Sequence, residues 1–213
     1  MKLHNWWTVS IYEAFEALAA YAGRMEEQIV RMGADDLKRI RAKRRSEEDH
    51  DMALSEHHWL FDETLPRNLR YSCIVLLLTT IETTLLRVCR QLAQSRRLSL
   101  TVSDLSGSQL SKILTYLRRV VGVALPAHPF AKTVWDLVKV RHCIVHAAGN
   151  VGLMKSPSPQ KVRAATQRIA GMRLQLDGAI DIDAGVCAQL IERASAWEHA
   201  ILDAADLAFR VEP

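Results

Sequence analysis

Glycine and proline are scarce in this 213-residue chain, at 9 and 6 residues, and aromatic side chains make up only 6%. So little of either excludes a collagen-like or low-complexity chain, and 49% hydrophobic with 24% charged residues excludes a disordered one. Cysteine is limited to Cys73, Cys89, Cys143 and Cys187, scattered along apolar helical stretches with no CxxC pair. A disulfide scaffold has no basis in that pattern, and buried free thiols in a reducing cytosol are expected. Long hydrophobic runs are missing too. The most apolar stretch, Cys73 to Leu78, is short, and its continuation carries Glu82 and Arg87, so it reads as a core helix and not as a membrane span. The N-terminus, with Trp6, Trp7 and Glu13, has no apolar signal-peptide core, and a cytoplasmic protein without membrane contact is expected. Glycine-rich phosphate loops are absent, which argues against a nucleoside triphosphatase, and no serine or cysteine has nucleophile-elbow surroundings.

What the chain does have is helical periodicity. Ile11, Phe15, Leu18, Ala22, Met25, Ile29 and Met32 recur at three- and four-residue steps along one long helix. Past Gly33, Asp35 to Asp51 is densely charged and reads as an exposed helix. Its basic members Lys38, Arg41, Arg44 and Arg45 are either a solvated face with internal ion pairs or a phosphate-contacting patch. Pro66 suits a helix first turn, and a strongly helical pattern runs from it to about Gln94. A Ser-rich loop, a shorter helix from Ser108 to about Val121, and a helix opening at Pro129 and ending near His146 follow. After a Gly-, Ser- and Pro-containing loop, a helix over Pro159 to Ala170 is expected. Alternating residues around Asp177-Gly178 then predict a short hairpin, and a last helix runs from Ala184 to about Phe209. The tryptophans Trp135 and Trp197 fall in helical patterns and are expected in the core, and His57-His58 near Asp62 is expected at the surface. Residues 1–65 read as an N-terminal helical extension and 66–213 as the core of a single domain.

Two charges sit where charges are costly. Arg141 falls on the apolar stripe of the Pro129 helix with Phe130, Val134, Leu137, Val138 and Val145, and Glu82 sits among apolar residues of the Pro66 helix. One account is a structural Arg–Glu pair fixing two helices. His142 and His146 share a face as two metal ligands do, yet no acid lies between them as in HExxH and no third ligand is evident, so neither a metal nor another cofactor is expected.

The run Val140-Arg141-His142-Cys143-Ile144-Val145-His146-Ala147-Ala148-Gly149 resembles the signature of the HEPN superfamily, in which an Arg and a polar residue precede a His on the same helix. The resemblance implies a mainly α fold: a HEPN-like helical bundle, commonly homodimeric, here with a small β-hairpin before the C-terminal helix and extra N-terminal helices. It also implies a metal-independent endoribonuclease, of toxin or phage-defence type, with RNA as partner and an antitoxin or other regulator beside it. Arg141 and His146 would be catalytic, His142 would assist, and Glu82 would support Arg141. The chemistry is coherent, because imidazole exchanges protons near neutrality and a guanidinium offers a fork to phosphate oxygens. The net charge of +4 tolerates such a partner. The alternative is a non-catalytic HEPN-like module that binds nucleotide or RNA or acts as a scaffold. Five residues of regular helix rotate side chains about 140° apart. Arg141 and His146 therefore diverge unless the helix loosens or a second chain completes the site.

Overall fold

The structure is a computed structural model, and it describes residues 7–43, 46–155 and 158–210. Trp6, Arg44 and Arg45 of the sequence reading lie outside the described residues, as do the side chains of Trp7, Ile11 and Phe209. Helices dominate. The first, α1 (Trp7–Ala42), turns Phe15, Leu18, Ala22 and Ile29 into the core, while Met25 and Met32 are exposed where the stripe drifts around the helix. Gly33 does not interrupt it. A side chain there would press on the Phe61 ring, so the glycine permits a close crossing.

Ser46 starts α2 (Glu47–His57) by accepting the Asp49 N–H, and Glu47, Glu48 and Asp49 face the positive end of the helix. This helix runs without a break through a π-helical turn (His58–Thr64) into α3 (Leu65–Arg96), a rod of 50 residues. Pro66 therefore stands within the rod. Proline has no N–H to give, and the wider π-helical turn, with Leu65 N–H bonded to the Leu60 carbonyl, falls where the regular ladder would fail. His57 is buried, not at the surface as expected, because its Nδ1 lies 3.0 Å from the Asp36 carboxylate and its ring packs on Phe61.

The rod's apolar window is long enough by composition to cross a membrane, yet half of it is buried inside the protein. Ile74, Leu78, Ile81, Leu85 and Cys89 are fully enclosed, and α1, α5 (Phe130–Ala147) and α7 (Val186–Arg210) all pack on α3. Phe15, Leu18, Ala22 and Ile29 of α1 belong to the same core as the buried side chains of α3, α5 and α7. Between α3 and α5 come a 3-10 turn (Val102–Asp104) and α4 (Gln109–Thr115), which continues as a π-helical turn to Val120. After α5, α6 (Pro159–Arg168) packs on α5, and β1 (Met172–Leu174) pairs antiparallel with β2 (Ile180–Ile182) in the register Met172↔Ile182 and Leu174↔Ile180. The Asp177-Gly178 turn is where the sequence puts it.

Two arginines lock elements together. Arg70 on α3 grips both carboxylate oxygens of Glu26 on α1 at 2.7 and 3.0 Å and donates to the Ile182 carbonyl at 2.8 Å. Arg168 on α6 holds Asp136 on α5 in a fork of 2.7 and 2.6 Å, and this holds the Asp136 carboxyl below its usual range.

Candidate functional site

The helix α5 is built by Phe130, Val134, Leu137, Val140, Cys143 and Ala147, which recur every three or four residues and are all buried. Its end is fixed from outside. Ala148 (φ 48) and Gly149 (φ 78) both adopt the left-handed conformation and turn their N–H groups back onto the Cys143 carbonyl. Only glycine fits at 149, because any Cβ there would overlap the Tyr71 phenol. The Tyr71 hydroxyl donates to the Ile180 carbonyl at 2.5 Å, and Ile180 N–H donates to the Gly149 carbonyl at 2.9 Å. Burial pushes the Tyr71 phenol up to about 12, so it stays a donor. The start of α3, the end of α5 and β2 thus meet at one point.

With Tyr71 beside Gly149, and Glu82 beside Arg141, α3 and α5 run antiparallel. Arg141 Nη1 lies 3.8 Å from Glu82 Oε1. That is an ion pair too long for a hydrogen bond. The Arg141 Nε–H is buried without an acceptor, and the side chain remains 36% exposed. Burial raises the Glu82 carboxyl above its usual range, against the opposing pull of Arg141. Where this fold uses arginine as a lock, at Arg70 and Arg168, the fork is closed at hydrogen-bonding distance. At Arg141 the fork is open, and the arginine keeps donors for another anion.

His142 is half-buried and His146 exposed, with ring centroids 4.4 Å apart and planes tilted by 48°. The helix is regular through both, so it does not loosen before His146, and His146 points away from the Arg141–Glu82 pair. Among the described residues no group of three or more metal-ligating side chains stands together. Two large apolar side chains of α5 are exposed, Val145 next to His146 at 53% and Trp135 at 38%, with Lys139 between Trp135 and the histidines on that face. The expectation of a core Trp135 fails, since its side chain is partly exposed, whereas Trp197 on α7 is buried.

The basic run is not brought to this site. Lys38 pairs with Asp35 at 3.1 Å and Arg39 with Asp36 at 3.6 Å, both exposed, and Arg41 is exposed at the C-terminal end of α1.

Sequence reasoning missed Glu198. It is fully buried on α7, with its carboxyl oxygens 2.7 and 2.9 Å from the Thr84 hydroxyl, itself 2.7 Å from the Thr80 carbonyl. One hydroxyl hydrogen cannot serve all these acceptors. Burial drives the Glu198 carboxyl well above its usual range and so favours its protonated form, in which the acid donates to Thr84 and Thr84 donates on to Thr80. The signal was present: Glu198 lies on the stripe of Ala194, Ile201 and Ala205, a third charge on an apolar face.

No protein-family model, curated protein or solved structure matches the chain.

Proposed function

We propose that this chain is a metal-independent endoribonuclease of the HEPN type, working as a homodimer in which Arg141 of one copy acts with His146 of the other. The observation that carries the reading is the open fork of Arg141, 3.8 Å from Glu82 with its Nε–H unused, on the same regular helix as an exposed His146. The exposed apolar side chains Val145 and Trp135 on the outer side of α5 support a second copy on this face. A two-fold axis there brings the two outward-turned His146 rings toward the opposite chains and answers the divergence of the two motif residues.

In this reading His146 takes the proton from a ribose 2′-OH, whose oxygen then attacks the adjacent phosphorus. The guanidinium of Arg141 binds the non-bridging oxygens as their charge grows, and Glu82 keeps that guanidinium at the α3–α5 boundary. The ring of His142, packed on His146, holds it in orientation. The P–O5′ bond breaks, the leaving oxygen is protonated, and the products carry a 2′,3′-cyclic phosphate and a 5′-hydroxyl. On the resemblance alone, the setting is a cytoplasmic toxin or phage-defence system with an antitoxin or other regulator.

The test is cleavage of mixed RNA by wild-type and His146→Ala protein in EDTA, with end-group analysis. Cyclic-phosphate ends from wild type alone are expected. Absence of cleavage by either protein overturns the enzymatic reading in favour of a non-catalytic binding module.

A further inference from the structure

A cleft of about 610 Å³ opens between the last three turns of α3, the loop that follows, and α4. Its floor is apolar: Leu86, Cys89, Ala93, Leu98, Val102 and the Tyr116 ring, whose hydroxyl is turned away to the Leu100 carbonyl at 2.8 Å. Its rim is cationic. Arg90, Arg97 and Lys112 line it and no carboxylate does. Among the described residues none of these three makes an ion pair, in contrast to Arg70, Arg168 and Arg173. Asp104, just beyond the lining residue Ser103, has its carboxylate committed to the N–H and hydroxyl of Thr101.

The backbone adds a second, independent observation. The chain leaves α3 through Arg97 in the left-handed conformation (φ 52, ψ 40), where glycine or asparagine is the unstrained choice. The residue in this strained conformation is an arginine, and it lines the cleft. Three unpaired cations around an apolar, aromatic-edged floor are complementary to a phosphate group joined to a flat ring. The volume lies in the range of small-molecule sites. Gln94, Gln109 and Ser103 supply the donors and acceptors that a base or ribose edge requires.

We propose that this cleft binds a nucleotide, with its phosphate on Arg90, Arg97 and Lys112 and its base on the floor beside Tyr116. Glu82, Leu86, Arg90, Ala93 and Arg97 follow one face of α3, so Arg90 lies about two helical turns along α3 from the Arg141–Glu82 pair. A free mononucleotide and a nucleotide of an RNA strand offer the same chemistry. The proposal does not depend on cleavage, because binding is read directly.

The experiment is calorimetric titration of the full-length protein with adenosine monophosphate and with a short 2′-O-methyl oligoribonucleotide, which has no 2′-OH to attack. Wild type is compared with the double variant Arg90→Gln/Arg97→Gly. Glycine at 97 suits the backbone there, so the variant folds at least as well, checked by its melting temperature. Affinity is expected to fall at least about tenfold in the variant, and the salt dependence of binding to flatten. Loss of mononucleotide binding identifies a free ligand. Binding of the oligomer alone, weakened by the variant, identifies an RNA strand. No binding of either probe by wild type at low salt, or equal binding by wild type and variant, overturns the proposal.

Discussion

If Arg141 of one chain serves His146 of the other, two crippled variants should repair each other. Arg141→Ala removes the only guanidinium on α5 and leaves Glu82, whose carboxyl burial already raises, without the charge that opposes that rise. His146→Ala removes an exposed ring, with no cost to the core. Each alone should lose about 10²–10⁴-fold in rate, the usual contribution of a positioned proton-transfer group or charge stabiliser. The two positions are five residues apart on a regular helix, so their side chains diverge by about 140° and cannot converge on one phosphate from one chain. In a mixed dimer, one site has lost both groups and the other retains both. Random pairing of equal amounts makes about half the dimers mixed, each with one working site of two, so about a quarter of wild-type activity should return. The assay is cleavage of a fluorophore-quencher RNA after the two variants are unfolded and refolded together, with mixed dimers verified by mass. Mixed dimers that form without recovered activity would refute the shared site, as would a fully active monomer.

Gly149→Ala should destabilise the protein by about 2–4 kcal/mol in urea unfolding, because alanine resists the left-handed conformation and its methyl meets the Tyr71 ring. It should also lower activity by moving the last turn of α5; unchanged stability would show that Tyr71 yields easily. Glu198 carries the opposite pH signature from a salt-bridged acid. Its folded pKa is raised, so its contribution is fully present below the ordinary glutamate value of 4.5 and is lost as pH rises toward the folded value. Glu198→Gln keeps a donor for Thr84 and cannot ionise, so its stability should gain on wild type steadily from acid to neutral pH. Parallel pH profiles of the two proteins would contradict the neutral-acid assignment.

The long helices and the hairpin were legible because each repeats a physical signal. Phe130, Val134 and Leu137 mark a buried face, and Asp177-Gly178 marks a tight turn between alternating residues. Glu82 and Arg141 were legible as a pair because each is a charge on an apolar stripe. Coverage was not legible. The pattern that places Trp135 and Val145 on a helix says nothing about which neighbour lies over them, and both stay partly exposed. Pro66 and Gly33 read as punctuation in sequence and turn out to lie inside helices, one beside a π-helical turn and the other under a crossing phenyl ring. The cleft behind Arg90 was hidden for a similar reason: it exists because the chain reverses at Arg97, a residue that gives no turn signal.

The junction of Tyr71, Gly149 and Ile180 has a consequence for the order in which the molecule becomes competent. The residue that ends α5, Gly149, is bonded by a strand made more than thirty residues after the motif, and that strand is in turn bonded by the Tyr71 hydroxyl from early in α3. A growing chain that has already displayed Arg141 and His146 still lacks β2 and its bond to Gly149. The end of the motif helix therefore takes its final position only after nearly all of the chain has been made.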